Sequence, residues 1–362
     1  MRNHSGRLEP YGPGSTPLHL AAGWTGDPAV ITVLLEAGAD VNARNRHHYT
    51  PLHYAARDNS EPGVIAALAA AGAEVNAWAT GSLPHTEWDV TPLHEAARNG
   101  SAAIAAALLD AGADANAVAA GGRTPLHRAA AENANPAVIA ELVSRGADVN
   151  ARLPGGRTPL HEAAAGNRNP EILTALLDAG AEVNALGASD EVWSDRESME
   201  AMETISGFTP WGGRVEFADY AGIRTPLHEA VMGHGDSAVV ATLIAAGAEV
   251  NARGDLNRMS DPAATPLYWA VSANPHPAVP EMLVRAGADI NARGGSGWTP
   301  LHLAALRNPV LFPALLDLGA DPEAPDRYGK TPMDHAVENL WLQGWEVVRR
   351  SREANASGNP PG

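Results

Sequence analysis

The feature that most constrains this chain is a four-residue phrase, Thr-Pro-Leu-His, that recurs along its 362 residues. Seven copies and two variants, Thr-Pro-Leu-Tyr and Thr-Pro-Met-Asp, begin at Thr16, Thr50, Thr91, Thr124, Thr158, Thr225, Thr265, Thr299 and Thr331. Most steps are 32–34 residues, and the exceptions are 40, 41 and 67 residues. Self-similarity at such a period predicts a repeat architecture, because each short unit buries its apolar face only against its neighbours.

Each unit predicts two helices and a loop. The threonine is placed to cap a helix whose first residue is proline, which has no N–H to leave unpaired there. About ten residues later a polar residue and a proline mark a second start, as at Asn135-Pro136 and Asn308-Pro309. The second helix carries an apolar Ile/Val and Leu-Leu stripe and stops at a glycine such as Gly146. We therefore predict a helix, a turn, a second helix and an extended loop back to the next unit.

The segments DRYGKTPMDHA (326–336) and AGADVNA (37–43) carry a resemblance to a known family. The chain resembles the ankyrin repeat family over residues 16–343. The resemblance implies an all-α fold, an ankyrin-repeat solenoid of about nine helix-turn-helix repeats joined by β-hairpin-like fingers. It also implies a concave binding face made by the fingers and first helices. One departure is the Asn-x-Asn-Pro turn, which is one residue longer than the family's Gly-His turn.

The remaining segments complete the predicted domain organisation. We expect an N-terminal arm over residues 1–15, repeats over 16–343, a capping helix over 344–354 and a disordered tail over 355–362. The capping helix is expected because the open end of a repeat stack needs a polar outer face.

The connecting fingers differ in length at one structural place. Between the Asn of the Val-Asn-Ala phrase (Glu323 in the last copy) and the next threonine, five fingers hold seven residues. Three are longer: 77–90 has fourteen residues, 252–264 has thirteen and 185–224 has forty. Extra chain is tolerated at surface tips, where loops often carry function. We predict a fingertip insertion over 186–223.

The longest finger has two interpretations. Its excess equals one repeat, since 40 − 7 = 33 residues, which would fit a decayed repeat. No Thr-Pro-Leu phrase stands near residue 192, however, and 189–206 has the pattern of a capped helix followed by a Trp- and Gly-containing loop. Such an insert would either fold onto its own scaffold or hold a partner.

The composition excludes several classes of partner and site. A net charge of −17 argues against nucleic-acid and anionic-membrane binding, since both need clustered positive charge. With no cysteine there is no disulfide or thiolate chemistry. Residues 1–15 lack a signal-peptide pattern, and no apolar window is long enough to span a membrane. We expect a cytoplasmic monomer, from a bacterial genome because Lys330 is the only lysine in an Ala- and Gly-rich chain.

The pair His161-Glu162 invites a catalytic interpretation, because His-Glu opens the zinc-protease signature His-Glu-x-x-His. The same pair recurs at His94 and His228, but in no case does a second histidine follow four residues later. The repeated histidines are better explained as turn residues that bridge the threonine hydroxyl and backbone groups. We predict no enzyme, no metal and no cofactor, and the one alternative is a catalytic site on the long insert.

The candidate contact residues lie on the fingers and at the ends of the first helices. We select aromatic and charged residues there, because aromatic residues and arginine are enriched at binding hot spots. The alternative is local: the arginines pair with Glu95, Glu162 or Glu229, and the tryptophans cover apolar gaps. The candidates are Trp24, Arg46, His47, Tyr49, Arg57, Asp58, Trp78, Trp88, Arg98, Arg123, Arg157, Trp193, Trp211, Arg224 and Trp298.

These observations predict a non-catalytic interaction scaffold that binds a partner protein or peptide on the finger and first-helix face. Arg123, Arg157 and Arg224 hold the same position before the threonine, and an open row of this kind would suit an acidic peptide. The 186–223 insert is expected to modulate binding. The alternative function is a purely structural spacer or assembly module.

Overall fold

The computed structural model describes residues 14–79, 89–188, 223–233, 236–254, 264–273 and 277–338. The chain divides into two compact units, Met1–Pro154 with Thr158–Glu182, and Gly155–Arg157 with Val183–Gly362. Most of the predicted arm, the tips of the three long fingers, the predicted capping helix and the tail lie outside the described residues. Where the chain is described, no helix has both the length and the apolar character needed to cross a membrane.

The first unit stacks five helical hairpins in chain order. Its first helices contact the first helices of neighbouring repeats, and its second helices contact second helices. The first helices span Pro17–Trp24, Pro51–Asp58, Pro92–Asn99, Pro125–Glu132 and Pro159–Gly166. The second helices span Pro28–Glu36, Pro62–Ala70, Ala102–Asp110, Pro136–Ser144 and Pro170–Asp178, and Ala120–Gly122 form a 3-10 turn in a finger.

The second unit repeats this arrangement and adds a short sheet. Strand β1, Gly187–Ala188, pairs antiparallel with strand β2, Ile223–Arg224, so that Gly187 lies opposite Arg224. The predicted all-α repeat fold is confirmed. The first helices span Pro226–Met232, Pro266–Ala273, Pro300–Arg307 and Pro332–Glu338, and the second helices span Ser237–Ala245, Ala278–Arg285 and Phe312–Asp317.

The helix starts follow the predicted signals with one exception. Every described first helix begins at the proline after a phrase threonine, and Asn135 caps a second helix by accepting the N–H of Ala137. The signal at Asn308-Pro309 is wrong, because the helix there begins at Phe312. Asn308 instead donates its side-chain N–H to the carbonyl of Val271 in the preceding repeat, and a turn intervenes.

The phrase leucines form the centre of each unit's core. Leu52, Leu93 and Leu126 are fully buried, as are their counterparts in the later described repeats. Each such side chain stabilises the stack by about 1.5–3 kcal/mol. The adjacent alanines, for example Ala55 and Ala56, are also fully buried and allow neighbouring first helices to approach closely.

The histidine of the Thr-Pro-Leu-His phrase, which we call the phrase histidine, caps the start of the first helix and links this helix to the next finger. The backbone N–H and the hydroxyl of Thr91 lie 3.2 and 2.9 Å from Nδ1 of His94. Nε2 of His94 donates to the carbonyl of Arg123, 3.1 Å away. Because Nδ1 accepts an N–H, the ring is neutral with its proton on Nε2. Burial lowers the pKa of His94 and His228 to about 4 and that of His53 to about 3. The predicted structural role of these histidines is confirmed.

The Asn of the Val-Asn-Ala phrase makes a second link between repeats. Nδ2 of Asn116 donates to the carbonyl of Gly146, 2.8 Å away. Its Oδ1 accepts the N–H of Asp148, also at 2.8 Å. Both bonds end in the next repeat, so this asparagine clamp fixes the spacing of consecutive units.

The three long fingers leave their repeats through closed stems. Antiparallel pairing joins Ala79 to Val90, Gly254 to Ala264, and β1 to β2. In the second unit the asparagine clamp also spans the longest finger, since Asn184 bonds to the carbonyl of Gly247 and the N–H of Glu249. Within the second unit, Asn184 therefore contacts the repeat that comes after the long finger.

Candidate partner-binding surface

Four of the predicted contact residues meet in one open groove of the first unit. Trp24, Arg57, Asp58 and Arg98 line it from the last turns of three successive first helices. The groove has a volume of about 950 Å³. We call this surface the N-terminal groove. Its remaining lining is Gly23, Thr25, Gly26, Asn59, Ser60 and Asn99.

Arg57 is held in a fixed position in this groove. Its Nε and Nη2 donate to the Asp58 carboxylate at 2.7–3.1 Å, and its guanidinium lies 4.7 Å from the centroid of the Tyr54 ring. Burial alone lowers the pKa of Arg57, but the hydrogen bonds and charge of Asp58 outweigh it, and the net pKa is raised. The stacking of Tyr54 was not predicted, although its i,i+3 spacing to Arg57 on one helix could have indicated it.

Arg98 and Trp24 are the exposed members of the groove. Arg98 pairs through Nε with Glu132 at 3.2 Å, and 55% of its side chain remains accessible. The Trp24 side chain is 73% exposed. Its indole therefore keeps a large apolar area in contact with water, which is energetically unfavourable. A rigid helix end thus presents an indole beside two guanidinium groups.

The finger residues form a different system, which we call the cross-repeat staple. In it, the residue before one phrase threonine contacts the residue four positions after the threonine of the next repeat. The Tyr49 hydroxyl donates to Glu95 at 2.8 Å. Burial and the Glu95 charge raise the pKa of Tyr49. The other described pairs of this kind are Ser15 with Tyr54, Arg123 with Glu162, Arg157 with Glu229, and Trp298 with His335.

The row of arginines is neutralised within the fold. Arg157 and Arg224 both contact Oε1 of Glu229, at 3.1 and 3.5 Å, and all three side chains are largely buried. Arg123 lies 3.4 Å from Glu162, which is only 6% exposed. The structure therefore differs from the expected open arginine row. Glutamates of the chain fill the positions where an acidic peptide was predicted to bind.

Comparison with known proteins agrees with this repeat geometry. A family model described as "Ankyrin repeats (3 copies)" matches residues 3–79, 93–186 and 267–349. A second, "Ankyrin repeat", matches 224–255. The chain belongs to the ankyrin repeat family. Ankyrin repeats are protein–protein interaction modules and typically carry no catalytic site.

One curated relative is similar to part of this ankyrin chain. Human Neurogenic locus notch homolog protein 4 is 43% identical over 60 residues. That stretch covers 16% of this chain and 3% of the notch homolog. The chain thus spans a small part of that protein's length, and the likeness extends to ankyrin repeats alone.

The remaining candidates on the ankyrin fingers do not line the N-terminal groove. Arg46 is exposed and His47 is half-buried on the first finger. The ring of Trp78 lies 6.1 Å from that of His94. Trp298 donates its indole N–H to Asp326 at 3.3 Å, so it is part of the packing between fingers. Three candidates lie outside the described residues: Trp88, Trp193 and Trp211.

Two further observations bear on the chemistry of the ankyrin surface. In the part of the chain that the structure describes, no group of His, Asp and Glu side chains is placed to hold a metal ion. Sequence reasoning also missed the small residues Gly23, Gly26 and Ser60, which leave the space of the groove. Their position in the turns beside Trp24 and Asp58 is the signal that could have found them.

Proposed function

We propose that this ankyrin chain is a non-catalytic scaffold that binds a partner protein or peptide through the finger and first-helix face. One observation carries the proposal: Trp24, Arg57, Asp58 and Arg98 converge on one open groove. Tryptophan and arginine on a rigid base are the residue types that dominate binding energy at interfaces. The proposal includes a monomer in the cytoplasm, with no nucleic-acid or membrane partner.

The contact surface is narrower than the sequence alone predicts. Four of the predicted contact residues take part in the cross-repeat staple and its buried ion pairs: Tyr49, Arg123, Arg157 and Arg224. Their replacement would lower the stability of the repeat stack, whether or not they contact a partner. The N-terminal groove, in contrast, presents side chains that contribute little to the core. We therefore assign partner contact mainly to the groove, with exposed Arg46 on the neighbouring finger as a second contact.

Partner capture with groove variants tests this proposal. Trp24→Ala and Arg98→Ala remove exposed side chains, so both variants should melt within a few degrees of the parent protein while losing at least one captured partner. Arg168→Ala and Val118→Ala change exposed residues elsewhere in the first unit and serve as matched controls. If every partner stays bound to the groove variants, the groove is not the contact surface and the proposed binding site is wrong; if the parent protein captures no partner, the spacer function is favoured.

A modulating role for the long insert has its own test. Because β1 and β2 already pair, residues 189–222 can be replaced by an Asn-Gly turn that joins Ala188 to Ile223 as a two-residue hairpin. We expect the shortened protein to fold and to bind its partner with altered affinity. Unchanged affinity would exclude modulation, and a hydrolase activity lost with the insert would favour the enzyme alternative.

A further inference from the structure

We propose that the N-terminal groove recognises a peptide segment in which a carboxylate side chain adjoins an aromatic residue. The carboxylate binds between Arg57 and Arg98, and the aromatic ring packs on Trp24. This inference rests on the proposed function and specifies the chemistry of the partner. It places recognition of acidic groups in the groove instead of on the arginine row of the fingers.

The polar groups of the groove favour a ligand that accepts hydrogen bonds. Arg57 uses Nε and Nη2 for Asp58, and Arg98 uses Nε for Glu132. The Nη1 group of Arg57 takes no part in the hydrogen bonds to Asp58, and 55% of the Arg98 side chain remains accessible to solvent. Guanidinium groups bind carboxylates through parallel N–H pairs, more strongly than neutral donors do.

A basic ligand fits this groove less well. Asp58 is the only carboxylate among the lining residues, and it already accepts three hydrogen bonds from Arg57. Carbonyls at the ends of the first helices are occupied too, because Asn59 donates to Ala22 and Thr25. A lysine or arginine of a partner would therefore find few open acceptors.

Asn99 repeats that arrangement on the next repeat. Its Nδ2 donates to the carbonyls of Ala56 and Asn59 at 3.0 Å in each case. The carbonyl groups at the C-terminal ends of the first helices of the first and second repeats are thus hydrogen-bonded inside the fold. The side chains that face an incoming ligand are dominated by two arginines and one indole.

The aromatic part of the ligand is set by Trp24. Its indole is 73% exposed, and aromatic pairs are worth roughly 0.5–1.5 kcal/mol beyond the area that they bury. The lining residues come from the first three repeats, and the next two first helices carry Ala131 and Ala165 at the position of Arg57 and Arg98, while Glu132 pairs with Arg98. Three neighbouring large side chains therefore define a site for a short segment.

Selection from a random peptide library tests the inference. The full-length chain serves as bait, and an enriched peptide is then measured by fluorescence anisotropy against Arg98→Gln, Arg57→Gln and Trp24→Ala. We expect enrichment of Asp or Glu beside Trp, Tyr or Phe. Loss of one guanidinium should weaken binding about 10- to 150-fold, because a charge-assisted hydrogen bond contributes about 1.5–3 kcal/mol. Arg168→Gln, an exposed arginine in the turn of a later repeat, is the control and should change nothing.

The outcomes separate this inference from the proposed function. Enriched peptides that are basic, or that bind the three groove variants as tightly as the parent, would overturn the carboxylate assignment while leaving a scaffold that binds elsewhere. A chain that selects no peptide and captures no partner would overturn both. Arg57→Gln also removes the stacking on Tyr54, so the melting temperature of this variant is measured. If that temperature falls, the result with Arg98→Gln decides the role of the guanidinium groups.

Discussion

Acid should destabilise this protein through its phrase histidines, and His94 provides the sharpest test. In the folded state its ring is neutral, because Nδ1 accepts the Thr91 N–H and burial lowers the pKa to about 4. In the unfolded chain the pKa returns to its ordinary value of 6.5. Between these values the unfolded state binds more protons than the folded state, so stability falls as the pH decreases.

The size of the effect follows from the two pKa values. At pH 5 the unfolded ring is almost fully protonated while the folded ring is mostly neutral. Linkage then gives a loss of about 2 kcal/mol for His94 between pH 8 and pH 5. His53 and His228, with pKa values of about 3 and 4, should each lose a similar amount. The contribution is fully present above pH 6.5 and is lost progressively as the pH falls toward 4.

Urea unfolding at pH 8 and pH 5, followed by circular dichroism, measures this loss. His94→Gln keeps a neutral side chain that can accept the Thr91 N–H, as glutamine does in a capping box. The variant should be less stable at pH 8 but should lose about 2 kcal/mol less than the parent on going to pH 5. His48→Gln, on the exposed first finger, is the control. If the parent and His94→Gln lose equal stability, the histidine is not the acid-sensitive group and the reasoning is refuted.

Three further perturbations test the links between repeats. Gly187→Ala places a Cβ 2.8 Å from Cα of Arg157 and should cost about 1–3 kcal/mol in thermal unfolding, whereas Gly26→Ala has open space and should be neutral. Glu229→Ala leaves the buried guanidinium groups of Arg157 and Arg224 without their carboxylate and should lower the free energy of unfolding in urea by about 3–5 kcal/mol. A decrease below 1 kcal/mol would show that water replaces the carboxylate. Asn116→Ala removes two bonds to the next repeat and should cost about 1–2 kcal/mol, and equal urea midpoints would contradict the clamp.

The local chemistry of the repeats could be predicted from the sequence. A threonine before a proline specifies a helix start through short-range sterics and hydrogen bonding, which do not depend on distant residues. The same holds for the histidine that closes the turn. The failure at Asn308 comes from its place in the repeat. Asn308 stands nine residues after its threonine, where Asn133 and Asn167 also bond to the preceding repeat, and it is therefore not a counterpart of the cap Asn135, which stands eleven residues after its threonine.

The candidate site could be predicted only in part. Trp24, Arg57, Asp58 and Arg98 were selected by residue type and position in the repeat, and the structure brings them together. The arginines of the fingers were selected in the same way, but they pair with glutamates. Position within a repeat shows which face a side chain occupies. It does not show if a neighbouring repeat already satisfies that side chain, because this depends on which residue stands in the next copy.

The cross-repeat staple limits how such a protein can evolve. Its described pairs differ in kind: a hydroxyl pair at Ser15 and Tyr54, a phenol with a carboxylate at Tyr49 and Glu95, and an ion pair at Arg157 and Glu229. Exchanging two units would therefore bring mismatched partners together, although their helices are almost interchangeable. Duplication of a unit can lengthen such an array. At each new junction, however, the two staple residues must first change until they form a compatible pair.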